Sequence, residues 1–134
     1  MSAPTRQQHH MSLALDHITE VAGHPEGVRT IYGGLCHSFP ILVRSCGLCQ
    51  ALAFVAAKAA PSTERGTAHT LLRGHIAAAF ALQPGKLLDT IRAAEMPAYM
   101  RHTRTVLDAW IFYKRFAVSI LKVESAHEGE EQDG

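Results

Sequence analysis

The stretch from Tyr32 to Lys58, YGGLCHSFPILVRSCGLCQALAFVAAK, is the longest nearly unbroken apolar run of the chain, and it decides the predicted fold. Its charged residues are Arg44 and Lys58. From Pro40 to about Ala59 it predicts one helix with apolar side chains pointing in almost every direction, and such a helix is normally surrounded by others. Proline disfavours helical geometry at the preceding residue, so we expect a kink or a new helix start at Pro40.

The rest of the chain predicts further helices packed around this one. Apolar residues recur at helical spacing between glycine and proline breaks over residues 6–22, 27–36, 63–82, 86–94 and 97–123. The pair Gly33-Gly34 costs the second of these helices about 1 kcal/mol per glycine relative to alanine, which indicates that a neighbour packs closely there. Strand patterns are absent from the sequence, so the predicted class is all-α, a compact single-domain bundle of five to six helices.

Charge divides the chain into two parts. The chain has 134 residues and a formal net charge of +1, but residues 124–134 hold five of its 12 acidic residues and no Lys or Arg. We expect residues 1–123 to form one helical domain and residues 124–134 to be a disordered acidic tail. The domain then carries a charge of about +6, which favours polyanionic partners.

Several classes of protein are disfavoured by what the sequence lacks. We expect no membrane span, because no uninterrupted apolar run reaches about 18 residues. The first ten residues lack the apolar core of a secretory signal. All three cysteines lie in apolar sequence, which is typical of reduced, buried thiols in a cytoplasmic protein.

The cysteines and histidines offer a weak case for metal or redox chemistry. Cys46 and Cys49 are separated by two residues, with Cys36 and His37 nearby. A structural zinc site usually needs two such pairs, so we favour cysteines that act as small hydrophobic residues. A metal- or redox-active helical protein using Cys46 and Cys49 remains the alternative. The nine histidines show no metal-binding spacing and are interpreted as surface or core-edge residues.

Other catalytic patterns are missing from the sequence. It shows no phosphate-binding loop, no nucleophile elbow and no paired carboxylates in an apolar setting. We therefore predict no catalytic residue, cofactor or metal.

The last predicted helix carries a basic stripe. It consists of Arg101, Arg104, Arg115 and Lys122. At 100° per residue these side chains fall within about 60° of one another, over a length of about 32 Å. Such a stripe can follow a phosphate backbone without reading bases. Lys114 projects about 100° away from Arg115 and is a secondary candidate. The competing interpretation is a solvated face on which Asp108 pairs with Arg104, four residues away.

A second basic line is predicted on the central helix. Arg44, Gly47, Ala51 and Lys58 share one side of it at helical spacing. The small residues between the two basic ends would admit either a partner molecule or a neighbouring helix of the same chain.

Two blocks of residues resemble a known family. The first comprises Tyr32-Gly33-Gly34-Leu35, Phe39-Pro40-Ile41-Leu42, Arg44, Gly47-Leu48 and Gln50-Ala51-Leu52-Ala53-Phe54. The second comprises Tyr99, Arg101, Thr105, Leu107, Trp110 and Lys114-Arg115-Phe116-Ala117. Together they resemble the small helical subunit of the type III-B CRISPR effector, the Cmr RAMP-module complex, in the family conventionally numbered fifth.

The resemblance implies a cytoplasmic, non-catalytic component of a prokaryotic antiviral ribonucleoprotein. Its implied partners are the backbone RAMP subunits, neighbouring copies of itself, guide RNA and target RNA, while RNA cutting belongs to other subunits. The candidate RNA-binding residues come from helical geometry instead; they are Arg101, Arg104, Arg115 and Lys122, then Arg44 and Lys58, and finally Lys114. A helical scaffold that binds only protein is a further alternative.

Overall fold

The computed structural model describes residues 3–126, which form six α-helices and no strand. The helices are α1 (Arg6–Ala22), α2 (Glu26–Cys46), α3 (Leu48–Lys58), α4 (Glu64–Ala79), α5 (Pro84–Ala93) and α6 (Met96–Ser119). This confirms the all-α prediction. Most of the tail for which we predicted disorder, residues 127–134, lies outside the described residues, so that expectation stays a prediction.

The apolar stretch from Tyr32 to Lys58 contributes to two helices rather than one. α2 continues through Pro40, which is buried, and the break falls at Gly47, where φ is 90° and ψ is 158°. Glycine adopts this left-handed φ without the steric cost of a Cβ. The predicted helix start at Pro40 is therefore wrong. Burial of Phe39 and Val43 on either side of Pro40 outweighs the hydrogen bond that the proline removes.

α2 packs against α1, α3, α4 and α6, and α4 packs against every other helix, so these two helices form the centre of the bundle. The expectation of burial all round is wrong, since Ile41 on α2 and Phe54 on α3 are 60% and 47% exposed. The core contains aromatic rings from two helices. The Trp110 ring stacks on Tyr113 with centroids 4.0 Å apart, and it meets the ring of Phe39 edge to face at 5.7 Å.

The predicted buried face of α6 is confirmed. It consists of Val106, Trp110, Tyr113, Ala117 and, just beyond the helix, Leu121. Within residues 3–126, no helix is both long enough and apolar enough to cross a bilayer.

The segment after α6 folds back onto α2. We predicted that the last helix reaches Val123, but α6 ends at Ser119 and Lys122 adopts a positive φ of 64°. This turn places Val123 against Gly33, where an added Cβ would lie 2.6 Å from the Val123 Cβ. The His37 ring donates a hydrogen bond from Nε2 to the Val123 carbonyl oxygen at 2.8 Å. The close neighbour predicted for the glycine pair is thus confirmed at Gly33.

Replacing Gly33 by alanine is expected to lower the free energy of unfolding by about 1–3 kcal/mol, because the added methyl group overlaps Val123. Gly74 is the matched control, since it also lies within a helix and an added Cβ there meets nothing within 4 Å. Gly74→Ala should raise stability by about 0.5–1 kcal/mol through helix propensity alone. Urea unfolding followed by circular dichroism measures both changes. Equal stabilisation by the two substitutions would contradict the packing of Val123 on Gly33.

Candidate nucleic-acid interface

α1 and α6 lie side by side and frame a surface groove that receives basic side chains from both helices. One part of it, about 490 Å³, is lined by Arg6 from α1 and by Met100, Arg101, His102, Arg104 and Thr105 from α6. A second part, about 450 Å³, is lined by Arg6, Gln7, His10, Asp108, Ile111, Phe112 and Arg115. Arg6 belongs to both parts. We call these residues together the α1–α6 groove.

The start of α1 is held by a capping box. The Gln8 backbone N–H donates to Thr5 Oγ1 at 3.1 Å, and the Thr5 backbone N–H donates to Gln8 Oε1 at 2.7 Å. This places Arg6 at the first helical position. A cation there opposes the helix dipole and costs a few tenths of a kcal/mol. The capping box therefore fixes a cationic side chain at a helix end that favours anions, beside the arginines of α6.

Three residues of the predicted basic stripe line this groove. Arg101, Arg104 and Arg115 are exposed on α6, and Arg115 lies over the Phe112 ring with its guanidinium carbon 5.9 Å from the centroid. Lys122 lies beyond the end of α6, so its place on the helical stripe is wrong. Lys114 is exposed on α6 but does not line either part of the groove.

The positive charge of the groove is not neutralised by ion pairing. Among residues 3–126, Arg6, Arg101, Arg104 and Arg115 form no salt bridge. The pairing of Arg104 with Asp108 on which the competing interpretation depends is therefore absent from the described residues. Unpaired guanidinium groups are suited to bidentate contacts with phosphate.

The second predicted basic line does not form a continuous surface. Because Gly47 separates the helices, Arg44 lies at the end of α2 and Lys58 at the end of α3. Ala51 is completely buried in the core. The Lys58 ammonium group instead lies 4.2 Å from the centroid of the Phe54 ring. The predicted continuous line is therefore wrong, because the helix break at Gly47 separates its two basic ends.

Two groove residues, Arg6 and His10, are not among the residues predicted from sequence, and both come from α1. His10 is 3% exposed, and burial lowers the pKa of its imidazole more than the nearby Asp108 carboxylate raises it. Their spacing of four residues places both side chains on one face of a helix. This spacing was the sequence pattern from which they could have been predicted. Only tertiary packing, however, places that face beside α6.

A second set of polar side chains, away from the groove, forms a network that is buried at Tyr32 and His75 and reaches the surface at Glu20. Tyr32 donates from its hydroxyl to His75 Nδ1 at 2.6 Å, and His75 donates from Nε2 to Glu20 Oε1 at 3.2 Å. The His17 ring stacks on His75 with centroids 4.0 Å apart and shares a 2.6 Å hydrogen bond with the Tyr113 hydroxyl. The interpretation of the histidines as surface or core-edge residues is wrong for His10 and His69, which are buried, as is His75.

The cysteines are free thiols in different environments. Cys36 is buried, and burial raises the pKa of its thiol, whereas Cys46 and Cys49 are partly buried. The Cys46 thiol donates to the Leu42 carbonyl oxygen at 3.1 Å. Within the described part of the chain, no group of three His, Cys, Asp or Glu side chains is arranged to hold a metal ion.

The fold and the groove together define a small helical protein with an unpaired basic surface suited to polyanions. Residues 6–120 match the family model described as CRISPR-associated protein (Cas_Cmr5). The chain is 36% identical over 120 residues to the CRISPR system Cmr subunit Cmr5 of Thermus thermophilus, covering 88% of this chain and 97% of that protein. The crystal structure of a CRISPR-associated Cmr5 family protein from the same organism superimposes with a TM-score of 0.77 at 33% identity, covering 88% of this chain and 98% of that one. The chain therefore belongs to the Cmr5 family of CRISPR-associated proteins.

Proposed function

We propose that this chain is a non-catalytic structural subunit of a Cmr CRISPR effector complex and that it binds RNA phosphates along the α1–α6 groove. The observation that carries the proposal is the convergence of unpaired arginines from two helices, Arg6 from α1 with Arg101, Arg104 and Arg115 from α6. Contacts of this kind neutralise phosphates with little preference for sequence.

The proposed partners follow from membership of the family. They are other Cmr subunits, including the backbone subunits and neighbouring copies of this chain, together with guide RNA and target RNA. Lys114 and Lys122 are exposed on or just beyond α6 and remain secondary candidates for RNA contact. Arg44 and Lys58 lie outside the groove, so we assign them to protein contacts before RNA contacts.

Replacing Arg101, Arg104 and Arg115 together by glutamine is expected to weaken RNA retention by the assembled complex. Each lost phosphate contact to a single strand makes the slope of log affinity against log salt less steep by about 0.7. The slope should therefore become less negative by about 2. Filter binding between about 50 and 200 mM salt, where such contacts dominate affinity, measures this change.

Lys86→Gln combined with Arg92→Gln is the control, because both residues are exposed on α5, which packs on α3 and α4. The control should leave the slope almost unchanged. An unchanged slope in the triple variant would overturn the groove assignment. Loss of assembly with RNA binding intact would favour the scaffold that binds only protein.

A further inference from the structure

His10 is a buried side chain of the α1–α6 groove to which the described protein offers no hydrogen bond. It is 3% exposed, and among residues 3–126 neither ring nitrogen has a partner. A buried polar group left unpaired costs about 1–3 kcal/mol, and in native proteins such groups often mark a functional site. His10 lines the same part of the groove as Arg6 and Arg115.

Asp108 is the second unusual feature of this part of the groove. Its carboxylate lies among cationic side chains, and it forms no ion pair within the described residues. In a site that bound phosphate alone, a carboxylate would repel the ligand. The same carboxylate stabilises a ligand that brings a hydroxyl donor next to its phosphate, because an ionised carboxylate only accepts hydrogen bonds.

We infer that His10, Asp108, Arg6 and Arg115 form a subsite for a ribose phosphate unit. The two guanidinium groups bind the phosphate, and Asp108 accepts a hydrogen bond from the 2′-hydroxyl. His10 is neutral near pH 7 and supplies one donor and one acceptor to the same unit. Both ring nitrogens are shielded from solvent, so a ligand reaches them only if neighbouring side chains move.

The subsite adds a ligand contact to the proposed function. It rests on that function only in taking the ribose phosphate unit to be part of an RNA strand. A free nucleotide carries the same ribose phosphate group. In either case the 2′-hydroxyl is the group that distinguishes RNA from DNA, so the subsite predicts a preference for ribose over deoxyribose.

Titration of the full chain with two nucleotides tests the subsite directly. Adenosine 3′-monophosphate and 2′-deoxyadenosine 3′-monophosphate share base and phosphate and differ only in the hydroxyl. The His10 ring resonances, assigned by their loss in His10→Phe, should shift with both ligands, and the ribonucleotide should bind about five- to tenfold more tightly. Equal affinities, or no shift at His10, would overturn the subsite.

A single substitution then separates the subsite from a purely electrostatic stripe. In the assembled complex, Asp108→Ala should increase affinity for a DNA strand, because a repulsive charge is lost, while the preference for RNA of the same sequence falls about five- to tenfold. Asp89→Ala, at an exposed position on α5, is the matched control and should change neither. An equal gain for RNA and DNA in Asp108→Ala would contradict the subsite.

The two proposals fail in different ways. If the ribonucleotide binds preferentially at His10 but the arginine variants leave RNA retention unchanged, the proposed function is wrong and the subsite stands as a nucleotide site. If the arginine variants reduce retention but ribose and deoxyribose bind equally, the proposed function stands and the subsite is wrong.

Discussion

Replacing Trp110 by alanine is expected to lower the free energy of unfolding by about 3–5 kcal/mol. Trp110 is completely buried and is among the largest fully buried side chains of the core, where its ring contacts Tyr113 and Phe39. The loss combines the transfer free energy of the indole with the cavity that it leaves. Thermal unfolding followed by circular dichroism should show a melting temperature lower by about 10–20 °C.

Two further variants show that the loss comes from buried volume. The indole N–H of Trp110 is buried without a hydrogen-bond partner in the described chain, so Trp110→Phe removes no hydrogen bond and should cost clearly less than Trp110→Ala. Phe54→Ala is the control for an aromatic residue that is 47% exposed, and we expect a loss of about 1 kcal/mol or less. Similar losses for Trp110→Ala and Phe54→Ala would contradict the described core.

The second large effect is a loss of stability in acid. Burial is the main cause that lowers the pKa of His75 from 6.5 to about 4, and burial also lowers the pKa of His17. As the pH falls below 6.5, the unfolded chain therefore binds protons before the folded protein does. The stability that depends on neutral His75 is fully present above pH 6.5 and is lost as the pH falls towards 4. For His75 alone the loss is about 3 kcal/mol.

Urea unfolding at intervals between pH 7 and pH 4.5 measures this dependence. His75→Gln should flatten the fall of stability with pH, although it also removes the hydrogen bonds to Tyr32 and Glu20 and lowers stability at every pH. His102→Gln is measured alongside as a histidine replacement outside the network, because the His102 ring packs edge to face on Phe80. A slope that His75→Gln leaves unchanged would show that another group titrates.

Most of the helices could be predicted because local residues, such as helix breakers and caps, set their boundaries. α1 ends before the Gly23-His24-Pro25 break as predicted, and Thr63 caps α4 by accepting a hydrogen bond from the Gly66 backbone N–H. The errors arose where packing opposed a local preference. Pro40 stays inside α2 because its neighbours are buried in the core, and the chain turns at Gly47, which the period of the apolar residues did not reveal.

Only the part of the candidate site that lies on a single helix could be predicted. Arg101, Arg104 and Arg115 share a face of α6 because the helical period fixes their relative directions. Arg6 and His10 join them only after α1 packs on α6, and no local pattern states which helices become neighbours. The same reason explains Lys122, which leaves the stripe because docking of Val123 on Gly33 ends the helix early.

The pairing of α1 with α6 has a consequence for biosynthesis. The first and last helices supply the two walls of the groove, and Arg6 and Arg115 are separated by about a hundred residues of chain. While the chain is still emerging from the ribosome, α1 has no partner for its basic face and the arginines of α6 have not yet appeared. The two walls of the groove therefore come together only after synthesis has passed α6.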